Sequence, residues 1–282
     1  RQMTGAATIV DLKSAYLQIH VAEELLKYQL VNYKGKTYCL TRLGFGLNSA
    51  PRIMSKILKT VLNKSETIGA GTKSYIDDIL VDESKVAPEE LITHLKAHGF
   101  ETKPPEQLDG GAALGLRLKR NCHQNLEFSR GNEVPEQVQH ITKRELFSIC
   151  GKLVGHYPVV GWLRVAGSYL KRLASDLNWE DIVNEKITKM LQEVLDKVKR
   201  KDPVAGIWHV RHAGKGKVWC DASNIALGAL LESNGNVIED AAWLRKSTDF
   251  NHINVAELEA VLKGINMALK WGMTTIDIMT DS

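Results

Sequence analysis

Hydrophobic and polar positions alternate in two different rhythms along the first 120 residues. The two-residue rhythm of β-strands, or a short apolar run, occurs at residues 6–10, 28–33, 37–40, 74–81 and 114–118. The helical rhythm occurs from Ser49 to Leu62, with Pro51 in the first turn, and again over residues 88–98 before Gly99. Strands joined by short turns and interleaved with helices predict an α+β domain with antiparallel hairpins.

The rhythm changes at Thr142, where Thr142 and Glu145 have the spacing of a capping box. Helices are predicted over residues 142–155, 160–175 and 182–200. A second change at Pro203 precedes strands at 218–221, 226–231 and 237–243, a helix at 254–271 and a strand at 275–280. These changes predict three regions, at residues 1–120, 121–205 and 206–282. The lysines near residue 200 are expected to be a solvated face or linker that could also contact phosphates.

Composition narrows the class of protein. The chain has 282 residues, of which 44% are hydrophobic and 25% charged, and its net charge of +4 permits a polyanionic partner. The four cysteines are scattered without a CxxC pair, which fits a reducing interior rather than a zinc ribbon or disulfide scaffold. No apolar run has the length of a membrane span, and no membrane partner is expected.

Adjacent acidic residues interrupt an apolar segment at Tyr75-Ile76-Asp77-Asp78. Neighbouring carboxylates repel one another, and a divalent cation is the usual remedy. A solvated hairpin turn is the alternative explanation. Asp11 ends an earlier predicted strand, and a sheet could bring it to this turn. Carboxylate oxygens suit magnesium, so the three acids predict a site for two Mg²⁺ ions, with Mn²⁺ as a substitute.

A second set of acids lies near the end of the chain. Asp221 ends a predicted strand, Glu257 lies in the first turns of the long helix, and Asp281 follows the last strand. Each could be a strand cap or a residue favoured by the helix dipole. Together they could converge at one edge of a sheet and hold two metal ions for attack of water on a phosphodiester.

Three segments resemble the A, B and C motifs of reverse transcriptases, in order and at suitable spacing. They are Val10-Asp11-Leu12-Lys13-Ser14-Ala15-Tyr16-Leu17-Gln18-Ile19, Leu43-Gly44-Phe45-Gly46-Leu47-Asn48-Ser49-Ala50-Pro51 and Tyr75-Ile76-Asp77-Asp78. The second set of acids resembles the Asp, Glu, Asp core of ribonuclease H. The chain therefore resembles a fragment of the pol polyprotein of an LTR retrotransposon, of gypsy or Pao/BEL type.

The resemblance implies roles for matching positions. Asp11 and Asp77 would bind metal with Asp78 in support, and Tyr16 would pack under the incoming sugar. Phe45 and Gly46 would contact the nascent base pair. Regions 1–120, 121–205 and 206–282 would be the palm with partial fingers of a right-hand polymerase, a helical thumb and connection, and a C-terminally truncated α/β ribonuclease H-like domain. Asp221, Glu257 and Asp281 would bind metal there.

The chain departs from the family in the segment after Gly99. The family places a lysine seven residues later, where it can protonate the leaving pyrophosphate, and this chain has Glu106. Lys103 is near, but Pro104 and Pro105 alter the backbone, so that role is left unassigned. The family's triphosphate-binding residues would precede Arg1, and its fourth nuclease acid would follow Ser282.

The resemblance implies an RNA-directed DNA polymerase with an associated endonuclease that cleaves RNA in hybrids. Its partners would be an RNA or DNA template-primer, dNTPs and an RNA/DNA hybrid. We expect an intracellular protein, in the cytoplasm or virus-like particles, with the nucleus as an alternative, and weak or no activity from residues 1–282 alone. Two alternatives are a non-catalytic nucleic-acid-binding relic and a plain metal-dependent nuclease.

Overall fold

A computed structural model describes residues 6–210, 214–246, 248 and 252–281. Internal contacts divide the chain between Gly111 and Ala112 into an N-terminal unit and a C-terminal unit. The expected domain boundaries after residues 120 and 205 stay predictions. Residue 120 ends a strand of a hairpin that lies wholly inside the C-terminal unit.

The N-terminal unit contains six strands and three helices among its described residues. The strands are β1 (Ala7–Asp11), β2 (Leu30–Tyr33), β3 (Lys36–Cys39), β4 (Thr72–Tyr75), β5 (Asp78–Asp82) and β6 (Glu106–Gln107). The helices are α1 (Ala50–Leu62), α2 (Glu66–Gly71) and α3 (Pro88–Ala97), and two 3₁₀ turns cover Ala15–Gln18 and Glu23–Tyr28. The predicted strands and helices of this region are confirmed, with ends shifted by no more than two residues.

One antiparallel sheet, in the order β4-β5-β1-β6, forms the base of the N-terminal unit. Its apolar positions, such as Val10 and Ile79, share a core with Met54 and Leu58 of α1 and Leu91 of α3, all fully buried. Each such side chain contributes about 1.5–3 kcal/mol when removed from water. This core holds the ends of β1 and β5 in a defined register. Asp11, Asp77 and Asp78, called here the first set of acids, lie at these ends.

The structure refines two expectations about local signals in this region. Ser49 occupies the N-cap position of α1, but its side chain accepts no hydrogen bond there, because its backbone is already helical. The predicted strand at 114–118 is wrong at its start. Leu114 and Gly115 have φ angles of 50° and 79° and form a turn, and the strand begins at Leu116.

The C-terminal unit contains eight strands and four helices among its described residues. The strands are β7 (Ala112–Ala113), β8 (Leu116–Arg120), β9 (Leu126–Arg130), β10 (Ala205–Ile207), β11 (Lys215–Ala222), β12 (Ala226–Ser233), β13 (Asn236–Leu244) and β14 (Thr275–Met279). The helices are α4 (Lys143–Val154), α5 (Leu163–Leu173), α6 (Glu185–Arg200) and α7 (Ile253–Lys270). The four predicted helices and the later strands are confirmed; β7, β9 and β10 had not been predicted.

The capping box predicted at the start of α4 is present. The Thr142 backbone N–H donates to Glu145 Oε2 at 2.7 Å, and the Glu145 backbone N–H donates to Thr142 Oγ1 at 3.3 Å. These bonds satisfy two N–H groups near the helix start that have no intrahelical partner. The bond from the Thr142 backbone N–H lowers the pKa of the Glu145 carboxyl, and a second bond from the Thr142 hydroxyl adds to this effect.

A four-stranded sheet in the order β13-β12-β11-β14 carries the second set of acids. β14 runs parallel to β11, whereas β12 is antiparallel to both of its neighbours. Helix α7 packs against this sheet at Gly264, where an added Cβ would lie 2.4 Å from Val218 Cγ1. The close approach explains why the helix tolerates a glycine despite its low helix propensity. Within the described residues, we find no helix with the length and apolar character needed to cross a bilayer.

Candidate functional site

The first set of acids meets at the ends of β1 and β5, as predicted. Asp11 is directly opposite Asp78 in the antiparallel register. The Leu12 backbone N–H donates to the Asp77 carbonyl at 3.1 Å, so the strand after Asp11 is fastened to the hairpin turn. Asp11 and Asp78, which are 67 positions apart in sequence, are thereby neighbours, because strand pairing brings them together.

The turn that carries Asp77 has a strained backbone. Tyr75 pairs with Asp78, which leaves Ile76 and Asp77 as a two-residue loop. Ile76 has a φ of 55°, a left-handed conformation that is unfavourable for a β-branched residue. Ile76 also packs against the core of the unit. Packing against the core therefore maintains an unfavourable backbone conformation at the turn that positions Asp77 and Asp78. Backbone strain of this kind is typical of functional sites.

Lys103 is the nearest cation to these acids. Its Nζ donates to Asp11 Oδ2 at 2.5 Å, and its backbone N–H donates to the Asp11 carbonyl at 2.8 Å. The side chain of Lys103 is 56% exposed and that of Asp11 is 29% exposed. The hydrogen bond to Asp11 raises the pKa of Lys103, and the charges of Asp11, Asp77 and Asp78 add to this effect. Glu106, at the position of the family's lysine, lies on β6, where it pairs with Ile9 of β1.

The charge balance at the first set favours an added cation. Burial raises the pKa of Asp78, and repulsion from Asp77 and Asp11 raises it further, against a smaller opposing effect of Lys103. Asp11 Oδ1 is buried without a hydrogen-bond partner. An unpartnered carboxylate oxygen beside two more acids fits a hard divalent ion. Nevertheless, no three His, Cys, Asp or Glu side chains among the described residues converge closely enough to hold a metal ion.

The predicted substrate-binding residues lie in the same unit. The Tyr16 and Phe45 rings are 5.5 Å apart and nearly perpendicular, which is a favourable aromatic geometry. Tyr16 is partly buried against the core, whereas Phe45 is 68% exposed. Gly46 has a φ of 83° and open space where a Cβ would be. The segments resembling the A and B motifs therefore meet through an aromatic pair.

The second set is only partly assembled. Asp221 and Asp281 follow the paired residues Trp219 and Met279 on parallel neighbouring strands, and both line a cavity of about 590 Å³. The register puts Asp221 on the sheet face opposite to α7, which carries Glu257. Glu257 Oε2 is buried without a hydrogen-bond partner. The structure thus brings two of the three predicted acids to one cavity.

A cationic segment was missed by our sequence reasoning. Residues 25–65 contain eight lysines and arginines and no aspartate or glutamate. Their positions are Lys27, Lys34, Lys36, Arg42, Arg52, Lys56, Lys59 and Lys64. Seven are exposed, and none forms an ion pair with a carboxylate of the described residues. A count of charge along the chain would have found the segment, which the small net charge hides.

The hairpin β2–β3 forms part of this cationic segment and is exposed throughout. Its register puts Val31 opposite Tyr38 and Tyr33 opposite Lys36, so two tyrosines share one face. Tyr33 is 60% exposed and Tyr38 is 53% exposed, and Lys34 Nζ lies 5.3 Å from the Tyr33 ring centroid. Exposed aromatic and basic side chains together are typical of surfaces that bind single-stranded nucleic acid.

Comparison with solved structures identifies the fold as that of retroviral reverse transcriptases. The structure of the foamy viral protease-reverse transcriptase in complex with an RNA/DNA hybrid matches 99% of this chain and 38% of that chain, with a TM-score of 0.70 and 18% identity. The same enzyme in complex with dsDNA matches 99% of this chain with a TM-score of 0.62. The chain therefore has a partial polymerase/ribonuclease H-like fold.

The sequence is also similar to polyproteins of retrotransposons. The retrovirus-related Pol polyprotein from transposon 297 of Drosophila melanogaster is 25% identical over 93% of this chain. The Pol polyprotein from transposon gypsy of the same fly is 38% identical over 26% of this chain. The chain is thus similar in sequence to the retrovirus-related Pol polyproteins of gypsy-type transposons. It spans 25% of the length of the first relative and 7% of the second. Residues 142–200 also match a domain of unknown function, DUF7047.

Proposed function

We propose that this chain is the catalytic region of a retroelement reverse transcriptase, an RNA-directed DNA polymerase joined to a ribonuclease H-type endonuclease. The observation that carries this proposal is the register pair of Asp11 and Asp78 beside the strained turn at Asp77. Homology to Pol polyproteins supports the reaction class. The protein would act inside the cell, in the cytoplasm or in virus-like particles.

The residues of the first set would divide the work of nucleotidyl transfer. Asp11 and Asp77 would hold Mg²⁺, and Asp78 would support them from the paired strand. When bound, two Mg²⁺ ions supply charge neutralisation for the phosphates and activation of the primer 3′-hydroxyl; Mn²⁺ can substitute. Tyr16 would lie under the sugar of the dNTP, and the Tyr16–Phe45 contact would keep the two nucleotide-binding segments together.

Nucleic-acid binding is supported by the cationic segment. A template-primer is a polyanion, and exposed lysines in a segment without acidic residues attract phosphates without reading sequence. The exposed tyrosines of β2–β3 offer stacking surfaces for unpaired template bases. Both contributions are independent of base identity, which suits an enzyme that copies any template.

The second set would act on the RNA strand of a hybrid. Asp221 and Asp281 line one cavity and would bind Mg²⁺ there, and the family resemblance assigns a further ligand role to Glu257, which lies on α7 at the other face of the sheet. The buried, unpartnered Oε2 of Glu257 supports a role as a metal ligand, since a carboxylate oxygen in that state is otherwise unfavourable. Hydrolysis of RNA in the hybrid then follows DNA synthesis.

Primer extension separates the catalytic proposal from its alternatives. The chain would be assayed within the longer Pol region that contains it, on an oligo(dT)-primed RNA template with Mg²⁺. Asp11→Asn and Asp77→Asn should each reduce incorporation by at least 100-fold, because each removes a metal ligand. Glu89→Gln, an exposed acid at the start of α3, is the matched control and should retain full activity.

The outcomes distinguish a polymerase from a non-catalytic relic and separate the roles of the two sets of acids. Loss of incorporation in both aspartate variants, with hybrid binding retained, supports the polymerase. No incorporation by the unaltered protein, with hybrid binding retained, would favour a non-catalytic nucleic-acid-binding relic. Full polymerase activity in Asp77→Asn would exclude the proposed role of the first set. An Asp221→Asn variant should lose hybrid cleavage alone and keep DNA synthesis.

A further inference from the structure

Lys103 binds the same carboxylate that the proposed function assigns to a metal ion. Its Nζ is 2.5 Å from Asp11 Oδ2, although the two residues are 92 positions apart in sequence. Asp11 Oδ1 has no hydrogen-bond partner. One oxygen of the carboxylate is therefore neutralised by an ammonium group, and the other is left without a partner.

The backbone and the side chain of Lys103 are held differently. The backbone N–H donates to the Asp11 carbonyl at 2.8 Å, and Thr102 bridges to Leu12, so the segment is fastened to the end of β1. The side chain, in contrast, is 56% exposed and is held to the acids through its ammonium group. A long lysine side chain with free solvent beside it can leave without any backbone change.

We propose that Lys103 is an internal counter-ion, which neutralises Asp11 when no divalent ion is bound and is displaced when one binds. This inference rests on the proposed metal-binding role of Asp11. It also accounts for the absence of a three-acid cluster among the described residues, because an ammonium on Asp11 removes the need for the acids to converge.

The physical consequence is a competition between two cations for one carboxylate. A divalent ion must break the Lys103–Asp11 pair and overcome repulsion from a nearby ammonium. Removing the lysine charge should therefore tighten metal binding roughly tenfold, which equals about 1.4 kcal/mol. An exposed lysine that pairs with a different carboxylate should have a much smaller effect on metal affinity.

Mn²⁺ titration of the full chain, followed by the electron paramagnetic resonance signal of free Mn²⁺, measures this affinity directly. All variants would carry Asp221→Asn, so that ions at the second set contribute little. Lys103→Met should bind Mn²⁺ about tenfold more tightly than the chain with Lys103 intact. Lys103→Arg retains the charge and should bind no more tightly than that chain.

Lys13→Met is the matched control, because Lys13 lies two residues from Asp11 but pairs with Glu101 at 3.8 Å. It should leave the Mn²⁺ affinity unchanged. Equal or weaker Mn²⁺ binding by Lys103→Met would overturn the counter-ion role. In that case, loss of Mn²⁺ binding in an Asp11→Asn variant would still support the proposed metal-binding role of Asp11. No Mn²⁺ binding by any variant would overturn both.

Discussion

Replacing Asp240 by alanine tests whether one buried carboxylate fastens helix α5 to the sheet of the C-terminal unit. Asp240 lies on β13, and only 9% of its side chain is exposed. Its oxygens accept the backbone N–H groups of Val160 at 3.0 Å and Gly161 at 2.5 Å, and Arg164 Nε donates at 3.2 Å. Alanine would leave all three donors without this acceptor.

The magnitude follows from these contacts. Breaking a buried ion pair by removing one partner typically costs 3–5 kcal/mol. Arg164 is 22% exposed and also donates to the Tyr157 carbonyl, so water and this second bond recover part of the loss. We therefore expect about 3 kcal/mol for Asp240→Ala. Asp240→Asn should cost about 2 kcal/mol, because both oxygens accept bonds and either amide orientation sets an NH₂ group against a donor.

Urea unfolding followed by tryptophan fluorescence is a selective assay. All six tryptophans lie after residue 160, so the signal reports on the C-terminal unit alone. With a slope near 2 kcal/mol per molar urea, a loss of 3 kcal/mol lowers the midpoint by about 1.5 M. The Asp240→Ala midpoint should fall by that amount at an unchanged slope.

Asp277→Ala is the control for this experiment, since Asp277 is an exposed aspartate on β14, at the other end of the same sheet. Its free energy of unfolding should change by less than about 0.5 kcal/mol. If Asp240→Ala unfolded at the same urea concentration as the control, the carboxylate would contribute no net stability. The account of how α5 is held to the sheet would then be refuted.

Two further predictions use the same kind of matched comparison. Gly264→Ala should destabilise the C-terminal unit by about 1–3 kcal/mol, since the new Cβ would lie 2.4 Å from Val218 Cγ1. The matched variant Gly151→Ala in α4 meets nothing within 4 Å and should stabilise the unit by about 0.5–1 kcal/mol. Tryptophan fluorescence during urea unfolding measures both, and equal effects of the two variants would contradict the packing argument. Asp78→Asn should increase protection of β1 and β5 from hydrogen exchange at pH 8 without metal. Burial and Asp77 raise the pKa of Asp78 above its usual 3.8, so the stability of its protonated form is present at low pH and lost as pH rises through that pKa. The extra protection from hydrogen exchange in Asp78→Asn should shrink towards pH 4. Extra protection that did not depend on pH would refute the raised pKa of Asp78 as its cause.

The local periodicity of hydrophobic positions was sufficient to predict most of the secondary structure. Residues 75–78 were predicted as a hairpin bend because apolar strand residues flank two acids, and Thr142 with Glu145 predicted a capping box that is present. The strand from residue 114 was misplaced because Leu114 adopts a left-handed turn that its residue type does not indicate. Propensity is a weak guide wherever tertiary context selects the backbone conformation.

The sequence alone determined which acids end strands and in what order, since these facts are local. It could not determine which side chain neutralises Asp11, because Lys103 reaches it only after β1 is in its place in the sheet. Nor could it show that Asp221 and Asp281 line one cavity together with the buried Asp240. Hydrophobic periodicity encodes the faces of single elements, whereas ion pairs and cavities depend on register and packing between distant elements. That dependence is the physical reason why the acids were found from sequence and their partners only from the fold.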